Sequence, residues 1–389
     1  MSPPRVIVAL HSAELGGPVR SLERELAWLR ERSELWVLIP EAGDPPRSLT
    51  QLEVPLMRGP YRPLTIPRSP LGLASEGARF RSELGWFRRR LRGEPPRVVL
   101  AVTSMLPALI AAARLEGVFS VLSVHELWRG FRRGRAREAA GLALLRAQAR
   151  AAREVMACSE VVAEQLPSGR ARVIHPGIAS QAGGDGAGFR RRHRIPQQAP
   201  LLATVGSITE GRGQDVLLRS VASLRRGWPE LRCVIAGEPF PRPADLSFSA
   251  FLDRLGAELG ISDALVRIAR VEPIRDLYAA ADLIVNPATT HPESFGRVAL
   301  EAATAGVPSL LTTVGATERM HRDGDTALLV PPQSQGELTL AVARLLRDRE
   351  LGQRLAQGGA ELAARIADPE RSLAAFRALI EPTLGESDG

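Results

Sequence analysis

Short apolar runs alternate with amphipathic stretches through the first half of the chain. The run RVIVAL at 5–10 predicts a buried strand, and the segment after it, GPVRSLERELAWLRER, has apolar residues at helical spacing. Five more strand-like runs follow: ELWVLIP, RVVLAVTS, FSVLSVHE, EVMACS and ARVIHPGI. Strands that are apolar throughout and alternate with helices indicate a parallel, doubly wound sheet.

A segment of small residues, SQAGGDGAGF at 180–189, interrupts this pattern. Its G-x-G spacing matches a dinucleotide-binding fingerprint, but no apolar strand leads into it. We therefore interpret the segment as part of a flexible linker between domains.

A second α/β series begins at PLLATVGSI, residues 200–208. Its later strand-like runs are LRCVIAGEP, VRIAR, LIVNPAT, VPSLLTT and ALLVPP, and the tail after them has helical character. The chain therefore contains two successive series of the same kind, which predicts two Rossmann-like domains.

The domain boundaries follow from these two series. We predict an N-terminal domain over 1–180, a linker over 181–199, a C-terminal domain over 200–366, and a C-terminal helix over 367–389 that can pack back on the N-terminal domain. A length of 389 residues suits two hydrophobic cores better than one. In this α/β fold class we expect the two doubly wound domains to face a cleft that holds the active site.

The composition favours a cytoplasmic location. No apolar run approaches the roughly 18 to 20 residues that span a bilayer, and MSPPRVIVALHS lacks the features of a signal peptide.

Cys158 and Cys233 lie far apart in strand-like runs, which predicts buried free thiols and no metal site.

The chain contains no lysine, so all 51 of its basic residues are arginine. Pyridoxal-phosphate chemistry and a P-loop both need a lysine and are therefore excluded. Any phosphate group must be held by arginine, by backbone N–H groups or by the N-terminus of a helix.

The positive charge is concentrated in the first half. Residues 1–180 carry 27 arginines against 17 acidic residues, and two clusters, 79–92 and 127–137, hold eleven of those arginines. The second cluster has its arginines between Arg129 and Arg137. Aromatic residues are interleaved in both, which is typical of docking on an anionic membrane surface. A solvated charged face and an anionic acceptor glycan are the alternatives, and no recognition motif for nucleic acid accompanies the charge.

The segment HPESFGRVALEAATAG at 291–306 follows the strand-like run LIVNPAT and reads as a loop and then a helix. Gly296 and Arg297 are predicted in the first turn, where unpaired N–H groups and the helix dipole favour an anion such as a diphosphate. Glu293 and Glu301 are then roughly 12 Å apart at 1.5 Å per residue, too far for shared acid–base work on one bond. Their spacing suits binding of the two ends of one ligand. The alternative is that both are ordinary solvent-exposed acids of a helix and bind no ligand.

A second segment, VGSITEGRGQDVLL, predicts a strand, a glycine turn and a helix. Gly206 and Gly213 allow close approach of the backbone, and Arg212 stands beside a helix N-terminus. This arrangement is a phosphate cradle without a lysine. An ordinary strand-to-helix turn with an exposed arginine is the alternative.

The order of these motifs resembles the retaining glycosyltransferases of family 4 (glycosyl transferases group 1), which have the GT-B fold. The matching stretches are GSITEGRG, VIAGEP, DLYAAAD and PESFGRVALEAATAGVP, in the family's order. The resemblance is close over about 200–370 and loose over the first half. It implies metal-independent, hexosyltransferase-type transfer from a nucleotide sugar to a glycan, lipid-linked or small-molecule acceptor, with retention at the anomeric carbon.

The resemblance also assigns roles to residues of the second half. Glu301 would hold the ribose hydroxyls of the donor, and Arg212 would bind phosphate. Glu293 would hold hydroxyls of the transferred sugar and is, with His125, a predicted catalytic residue. The residues that would line the sugar, the diphosphate and the base are Gly206, Gly213, Arg270, Val271, Ser294, Phe295, Gly296, Arg297 and Val298. Ser207 departs from the family, because many members carry an arginine there, and one cationic contact is missing or moved.

In the first half the resemblance is to an opening glycine loop and to a histidine at a strand end. Gly16 and Gly17 would approach the donor phosphate or the acceptor, and His125 would face the donor sugar and take part in catalysis. His193 and His321 are predicted at the surface.

Two rival functions remain open from the sequence. A sugar-nucleotide epimerase shares the architecture, and a catalytically idle GT-B domain would serve as a binding or scaffold protein.

The DGD motif at 323–325 imitates a metal-binding motif of other glycosyltransferases, but its position before ALLVPP predicts a turn. We expect no metal, no cofactor and no nucleic-acid partner, and a peripheral position at the inner face of a membrane if the arginine clusters bind lipid.

Overall fold

The computed structural model describes residues 3–12, 21–41, 53–67, 69–129 and 134–385. The chain divides into two compact units. Unit 1 comprises Met1–Gly177 together with Pro369–Gly389, and unit 2 comprises Ile178–Asp368.

Unit 1 contains a seven-stranded sheet in the order β3-β2-β1-β4-β5-β6-β7, and all of its neighbouring strands run parallel. Its strands are β1 (Arg5–Ala9), β2 (Glu34–Pro40), β3 (Leu56–Gly59), β4 (Val98–Ala101), β5 (Phe119–Val124), β6 (Glu154–Ala157) and β7 (Arg172–Val173). The six predicted strand-like runs each contain one of these strands, whereas β3 was not predicted. Its four residues, LMRG, include only two apolar side chains, both half-buried, which is too weak a pattern to recognise.

The described helices of unit 1 are α1 (Glu23–Arg32), α2 (Pro70–Gly93), α3 (Pro107–Leu115), α4 (Arg135–Ala151), α5 (Glu160–Ala163) and α14 (Pro369–Leu384). The last of these is the C-terminal helix, and it completes the core of unit 1. Its Phe376 is fully buried and meets the ring of Trp28 edge-on, with 6.2 Å between ring centroids. Burial of an aromatic side chain is among the largest hydrophobic contributions that one residue makes.

Unit 2 contains a six-stranded parallel sheet in the order β10-β9-β8-β11-β12-β13. Its strands are β8 (Leu201–Val205), β9 (Arg232–Ala236), β10 (Leu265–Ile268), β11 (Leu283–Asn286), β12 (Ser309–Thr312) and β13 (Leu328–Val330). Its helices are α6 (Gly186–Arg192), α7 (Gln214–Leu224), α8 (Pro243–Glu258), α9 (Ile274–Ala280), α10 (Arg297–Thr304), α11 (Thr317–Met320), α12 (Gln335–Arg347) and α13 (Arg349–Ile366). The predicted fold class, two doubly wound parallel-sheet units, is confirmed.

The strand order of each sheet reverses direction at one place. In unit 1 the reversal lies between β1 and β4, and in unit 2 it lies between β8 and β11. Connections on the two sides of such a point leave toward opposite faces, which opens a crevice beyond the carboxyl ends of the two strands. The loops after β8 and β11 therefore mark the expected ligand site of unit 2.

The structure places residues 181–199 within unit 2 and not in a flexible linker. Helix α6 forms there, capped by the Asp185 carboxylate, which accepts from the Gly188 N–H at 2.7 Å. The glycines serve close packing, since a Cβ on Gly184 or Gly186 would lie within 2.3 Å of a carbonyl oxygen of α9. The linker interpretation took these glycines as a source of flexibility, and their packing against α9 was not visible in the sequence.

The two cysteines are free and buried, as predicted. Burial raises the pKa of the Cys233 thiol to about 12, so this thiol stays protonated at neutral pH. No helix in the described part of the chain is long and apolar enough to cross a membrane.

His321, which we predicted at the surface, is buried at 5% exposure. Its Nδ1 lies 3.4 Å from the Thr326 hydroxyl, and its Nε2 is buried without a hydrogen-bond partner among the described residues. Burial lowers the pKa of His321 to about 4, against a smaller opposing effect of the Thr326 backbone. The folded protein therefore holds this ring in its neutral form.

We predict that His321 makes the protein less stable in mild acid. Between pH 6.5 and about 4 the unfolded chain binds a proton at this ring and the folded chain does not, so the free energy of unfolding falls as the pH falls. The full effect is roughly 3 kcal/mol, at 1.36 kcal/mol per pKa unit. Urea unfolding at pH 7 and pH 5 measures it: His321→Gln should lose part of the pH dependence, whereas His175→Gln in unit 1 should keep it. An unchanged slope in His321→Gln contradicts the assignment.

Candidate functional site

The loop after β8 brings an arginine to the switch point of unit 2. It contains a short 3-10 helix, Glu210–Arg212, which ends at Gly213 in the left-handed conformation with φ 71°. A Cβ on Gly213 would lie 2.0 Å from the Pro287 carbonyl oxygen, so only glycine fits there. Gly213 also stands at the N-cap of α7, so Arg212 lies beside a helix N-terminus, as the sequence predicted.

The loop after β11 is fastened to the loop after β8. The backbone N–H groups of Thr289, Thr290 and His291 all donate to the Gly211 carbonyl, at 2.9, 3.2 and 3.0 Å. One carbonyl oxygen thus holds three successive amides, which fixes the path of the chain toward Glu293. The two predicted motifs are therefore brought together in one place.

Helix α10 begins at Arg297, and the residue before it, Gly296, adopts the left-handed conformation with φ 74°. The sequence placed Gly296 inside the first turn, whereas the structure places it at the N-cap. The reason is its positive φ, which a helix interior does not allow. The N–H groups of the first turn of α10 still point toward the loop, where a helix terminus favours an anion.

Glu293 lies just before this helix terminus. Its Oε2 accepts a hydrogen bond from Arg212 at 3.2 Å and another from the Asn286 amide at 3.1 Å. Burial acts to raise the pKa of the Glu293 carboxyl, but Arg212, then His291, Asn286 and the Gly296 N–H outweigh it and hold the pKa below its usual range. Glu293 is therefore a carboxylate at neutral pH.

Glu301 lies one turn inside α10 and is buried at 6% exposure. Its Oε2 accepts from the Tyr278 hydroxyl at 2.7 Å, and its Oε1 accepts from the Arg297 guanidinium at 3.0 Å. The Tyr278 side chain is fully buried in the core, so it is a fixed support for the carboxylate. Glu301 is thus not a solvated helix acid, which was the plain alternative in the sequence.

Sequence reasoning did not assign Tyr278 and Asn286 to the site. Tyr278 belongs to the DLYAAAD stretch, and Asn286 is the last residue of β11, within LIVNPAT. A polar residue at the carboxyl end of a strand beside the switch point is a signal that the sequence offered. The hydrogen bond of Tyr278 to an acid 23 positions later was not visible without the fold.

The remaining predicted residues of unit 2 differ in how close they lie to the switch point between β8 and β11. Gly206 follows β8 directly, and a Cβ there would come 3.9 Å from the Arg212 guanidinium. Arg270 and Val271 follow β10, the edge strand, which is separated from β8 by β9. Val298 turns toward the hydrophobic core, where it packs against the cluster that contains Tyr278.

Ser294 and Phe295 connect Glu293 to the Gly296 cap. Phe295 is buried at 3% exposure, whereas Ser294 is half-buried. Because the phenyl ring is buried, this segment can contact a ligand through its backbone but not through that ring.

In unit 1, His125 follows the carboxyl end of β5, as predicted for a histidine at a strand end. Its Nε2 lies 2.8 Å from the Ser123 hydroxyl. The next residue, Glu126, accepts from the hydroxyls of Thr103 and Ser104, the latter at 3.0 Å. Gly16 and Gly17 lie outside the described residues.

The DGD stretch at 323–325 forms a turn, as predicted. The Asp323 carboxylate accepts from the Leu329 N–H at 2.8 Å, and Asp323 bridges to Ala327 across the turn. Within the described ranges, no group of three His, Cys, Asp or Glu side chains is arranged to hold a metal ion.

Comparisons with known proteins agree with this architecture. The family model "Glycosyl transferases group 1" matches residues 187–362, and the model "Glycosyltransferase Family 4" matches residues 15–181. A D-inositol 3-phosphate glycosyltransferase of Thermobispora bispora is 34% identical over 209 residues, which is 51% of this chain and 47% of the relative. The enzyme of the same name from Nocardia farcinica is 36% identical over 187 residues, 46% of this chain and 41% of the relative. The chain matches about half the length of these relatives.

Among solved structures, Anabaena HepE in complex with UDP and glucose superposes with a TM-score of 0.80 and 17% identity, over 97% of this chain and 99% of that one. WaaG, a glycosyltransferase involved in lipopolysaccharide biosynthesis, superposes with a TM-score of 0.73 and 20% identity, over 99% of this chain and all of that one. At these identities the likeness establishes a shared fold.

The two family models together account for most of the chain, on both units, and their order agrees with the order of its motifs. The chain belongs to glycosyltransferase family 4, the group 1 glycosyl transferases.

Proposed function

We propose that this protein transfers a sugar from a nucleotide-sugar donor to a glycan, lipid-linked or small-molecule acceptor, with retention at the anomeric carbon. The observation that carries the proposal is the helix terminus of α10, with Glu293 and Arg212 on one side and Glu301 on the other. Phosphate and sugar hydroxyls are the groups that this combination of donors and acceptors binds.

The proposed donor occupies the site as follows. Its diphosphate lies on the first turn of α10, where the backbone N–H groups and the Arg212 guanidinium offset its charge. Its ribose hydroxyls donate to Glu301, and hydroxyls of the transferred sugar donate to Glu293. HepE was solved in complexes with UDP-glucose and with UDP, which supports a uridine donor as the first to test.

The acceptor is assigned to unit 1. His125 and the opening loop with Gly16 and Gly17 are the proposed contacts, and the family resemblance implies the role of His125 toward the transferred sugar. The relatives named D-inositol 3-phosphate glycosyltransferase support testing small phosphorylated polyols together with glycans and lipid-linked sugars as acceptors.

The proposed reaction uses no metal and no cofactor. The leaving diphosphate carries the developing negative charge, and the α10 terminus together with Arg212 stabilises it in place of a divalent ion. Transfer in the presence of EDTA tests metal independence, and NMR of the product's anomeric proton tests retention.

A second surface of unit 1 is proposed to dock on anionic lipid. On α2, most arginines of the 79–92 cluster are already in ion pairs: Arg79 with Glu76 and Glu83, Arg88 and Arg92 with Glu116, and Arg90 with Glu94. Arg81 and Arg89 are exposed and form no ion pair with a described residue. Leu71 and Leu73, at the start of the same helix, are 85% and 58% exposed. Part of the second arginine cluster, residues 130–133, lies outside the described residues.

The first test is a thermal-shift screen over UDP-, GDP- and ADP-sugars. A ligand that binds only the folded state raises the melting temperature, so the true donor gives the largest shift. Without acceptor, the protein should then release the nucleoside diphosphate slowly from that donor. No shift with any nucleotide sugar, and no release above the buffer blank, would leave the idle-domain alternative standing.

We predict that Arg212→Gln and Glu301→Ala each weaken donor binding. Each removes a hydrogen bond to a charged group, worth roughly 2 kcal/mol, so the dissociation constant should rise about thirtyfold. Isothermal titration with the donor from the screen measures it, and the melting temperature without ligand reports folding. Arg225→Gln, which breaks an ion pair with Asp263 elsewhere in unit 2, should bind donor normally. Unchanged affinity in both site variants contradicts the proposed geometry.

We predict that the protein co-sediments with vesicles containing anionic lipid and is released by high salt, because exposed charges are screened. The double variant R81Q/R89Q should lower this binding about tenfold or more, at about 1 kcal/mol per arginine. The double variant R225Q/R267Q makes the same charge change at paired arginines of unit 2 and should bind like the wild type. Equal binding to neutral vesicles would remove the electrostatic basis, and an equal loss in both variants would contradict the assignment to this surface of α2.

A further inference from the structure

Both acids of the candidate site are paired with an arginine of the same site. Glu293 pairs with Arg212 at 3.2 Å, and Glu301 pairs with Arg297 at 3.0 Å. All four side chains are at least three-quarters buried, with exposures of 15%, 22%, 8% and 19% in that order. We infer that these two ion pairs act as a filter, which admits ligands that carry both phosphate and hydroxyl groups and rejects ligands that carry phosphate alone.

Each acid has a second, neutral donor that holds it in position. The Tyr278 hydroxyl holds Glu301 at 2.7 Å, and the Asn286 amide holds Glu293 at 3.1 Å. Tyr278 is fully buried, and Asn286 belongs to strand β11, so both supports are on rigid elements. The carboxylates therefore stay in the site when their arginines are drawn away.

The arginines are the exchangeable partners. Arg212 ends a short 3-10 helix, and Arg297 is the first residue of α10, next to the backbone groups proposed to receive the diphosphate. Phosphate oxygens compete for a guanidinium with strong, charge-assisted hydrogen bonds. A bound diphosphate therefore replaces the two acids, in part or entirely, as the hydrogen-bond acceptor of these arginines.

The consequence depends on what else the ligand carries. A nucleotide sugar supplies hydroxyl donors to both carboxylates, so every charged group keeps a partner. Inorganic pyrophosphate supplies none, and it leaves two largely buried carboxylates without their arginines beside a new negative charge. Unpaired buried charge and like-charge contact are both costly, so the free acids oppose the binding of a bare polyanion.

This inference deepens the proposed function, since it rests on a donor bound at α10, and it assigns the two acids a second task. A simpler alternative is that the acids only orient the arginines for phosphate. The two ideas predict opposite results when a carboxylate is replaced by an amide. Removal of an orienting group weakens the binding of pyrophosphate, whereas removal of an opposing charge strengthens it.

The test is isothermal titration of wild type, Glu293→Gln and Glu301→Gln with three probes: inorganic pyrophosphate, UDP and UDP-glucose, all in EDTA. Glutamine keeps an oxygen that can accept from Tyr278 or Asn286, so the supports are retained. Asp263→Asn is the matched control, because it neutralises the carboxylate of a close Arg–Asp pair outside the site. Melting temperatures without ligand establish that each variant is folded.

We expect both site variants to bind pyrophosphate about tenfold or more tightly than the wild type, the gain from removing one opposing charge at close range. UDP should gain affinity in Glu293→Gln, because the acid left unpaired by UDP is the one proposed to face the sugar. UDP-glucose should lose affinity relative to UDP in that variant. Asp263→Asn should leave all three affinities unchanged.

Weaker or unchanged pyrophosphate binding in both folded variants overturns the filter. If one variant fails to fold, the other decides the question with the same probe. If the wild type binds neither UDP nor UDP-glucose, the proposed donor is wrong. The pyrophosphate result still decides between opposing and orienting acids, so the two failures are distinguishable.

Discussion

The Gly211 carbonyl is the contact on which the candidate site depends. It accepts hydrogen bonds from three successive amides of the loop after β11, and this joins the two loops that flank the switch point of unit 2. Gly213 lies so close to Pro287 that no side chain fits at that position. Arg212 lies between these two contacts in the chain. The backbone is therefore fixed on both sides of Arg212, and this positions its side chain close to Glu293. The pairing of Arg212 with Glu293 is therefore a consequence of how the two loops are joined.

The fold was largely predictable from the sequence, because buried parallel strands leave continuous apolar runs between helices. Twelve of the thirteen strands lie in runs that the pattern singled out, and the one missed, β3, has only two apolar residues. The candidate site was predictable for a similar reason. Glycines in left-handed conformations and charged residues after strand ends leave a local signature, as Gly213 and Glu293 do.

What the sequence could not supply were contacts between distant positions. Glycines at 184 and 186 allow close packing against α9, and in the sequence they are indistinguishable from glycines of a flexible linker. The arginines of α2 look like a uniform basic cluster, yet most of them form ion pairs with acids. One of these acids is Glu116, which lies at the C-terminal end of α3. His321 is polar and was expected at the surface, whereas it is buried at the end of α11. For the glycines and for Arg88 and Arg92 the partner decides the role, and it lies far along the chain. For His321 it is burial that decides.

The C-terminal helix has a consequence for the way the protein is made. Unit 2 is one continuous stretch of chain, but the core of unit 1 needs Phe376 and Ile380 from the last helix. During synthesis the ribosome therefore completes unit 2 before unit 1 receives its final element, although most of unit 1 emerges first. A chain truncated just before Pro369 would keep all of unit 2, including the ion pairs of the candidate site, and would leave a hole in the core of unit 1.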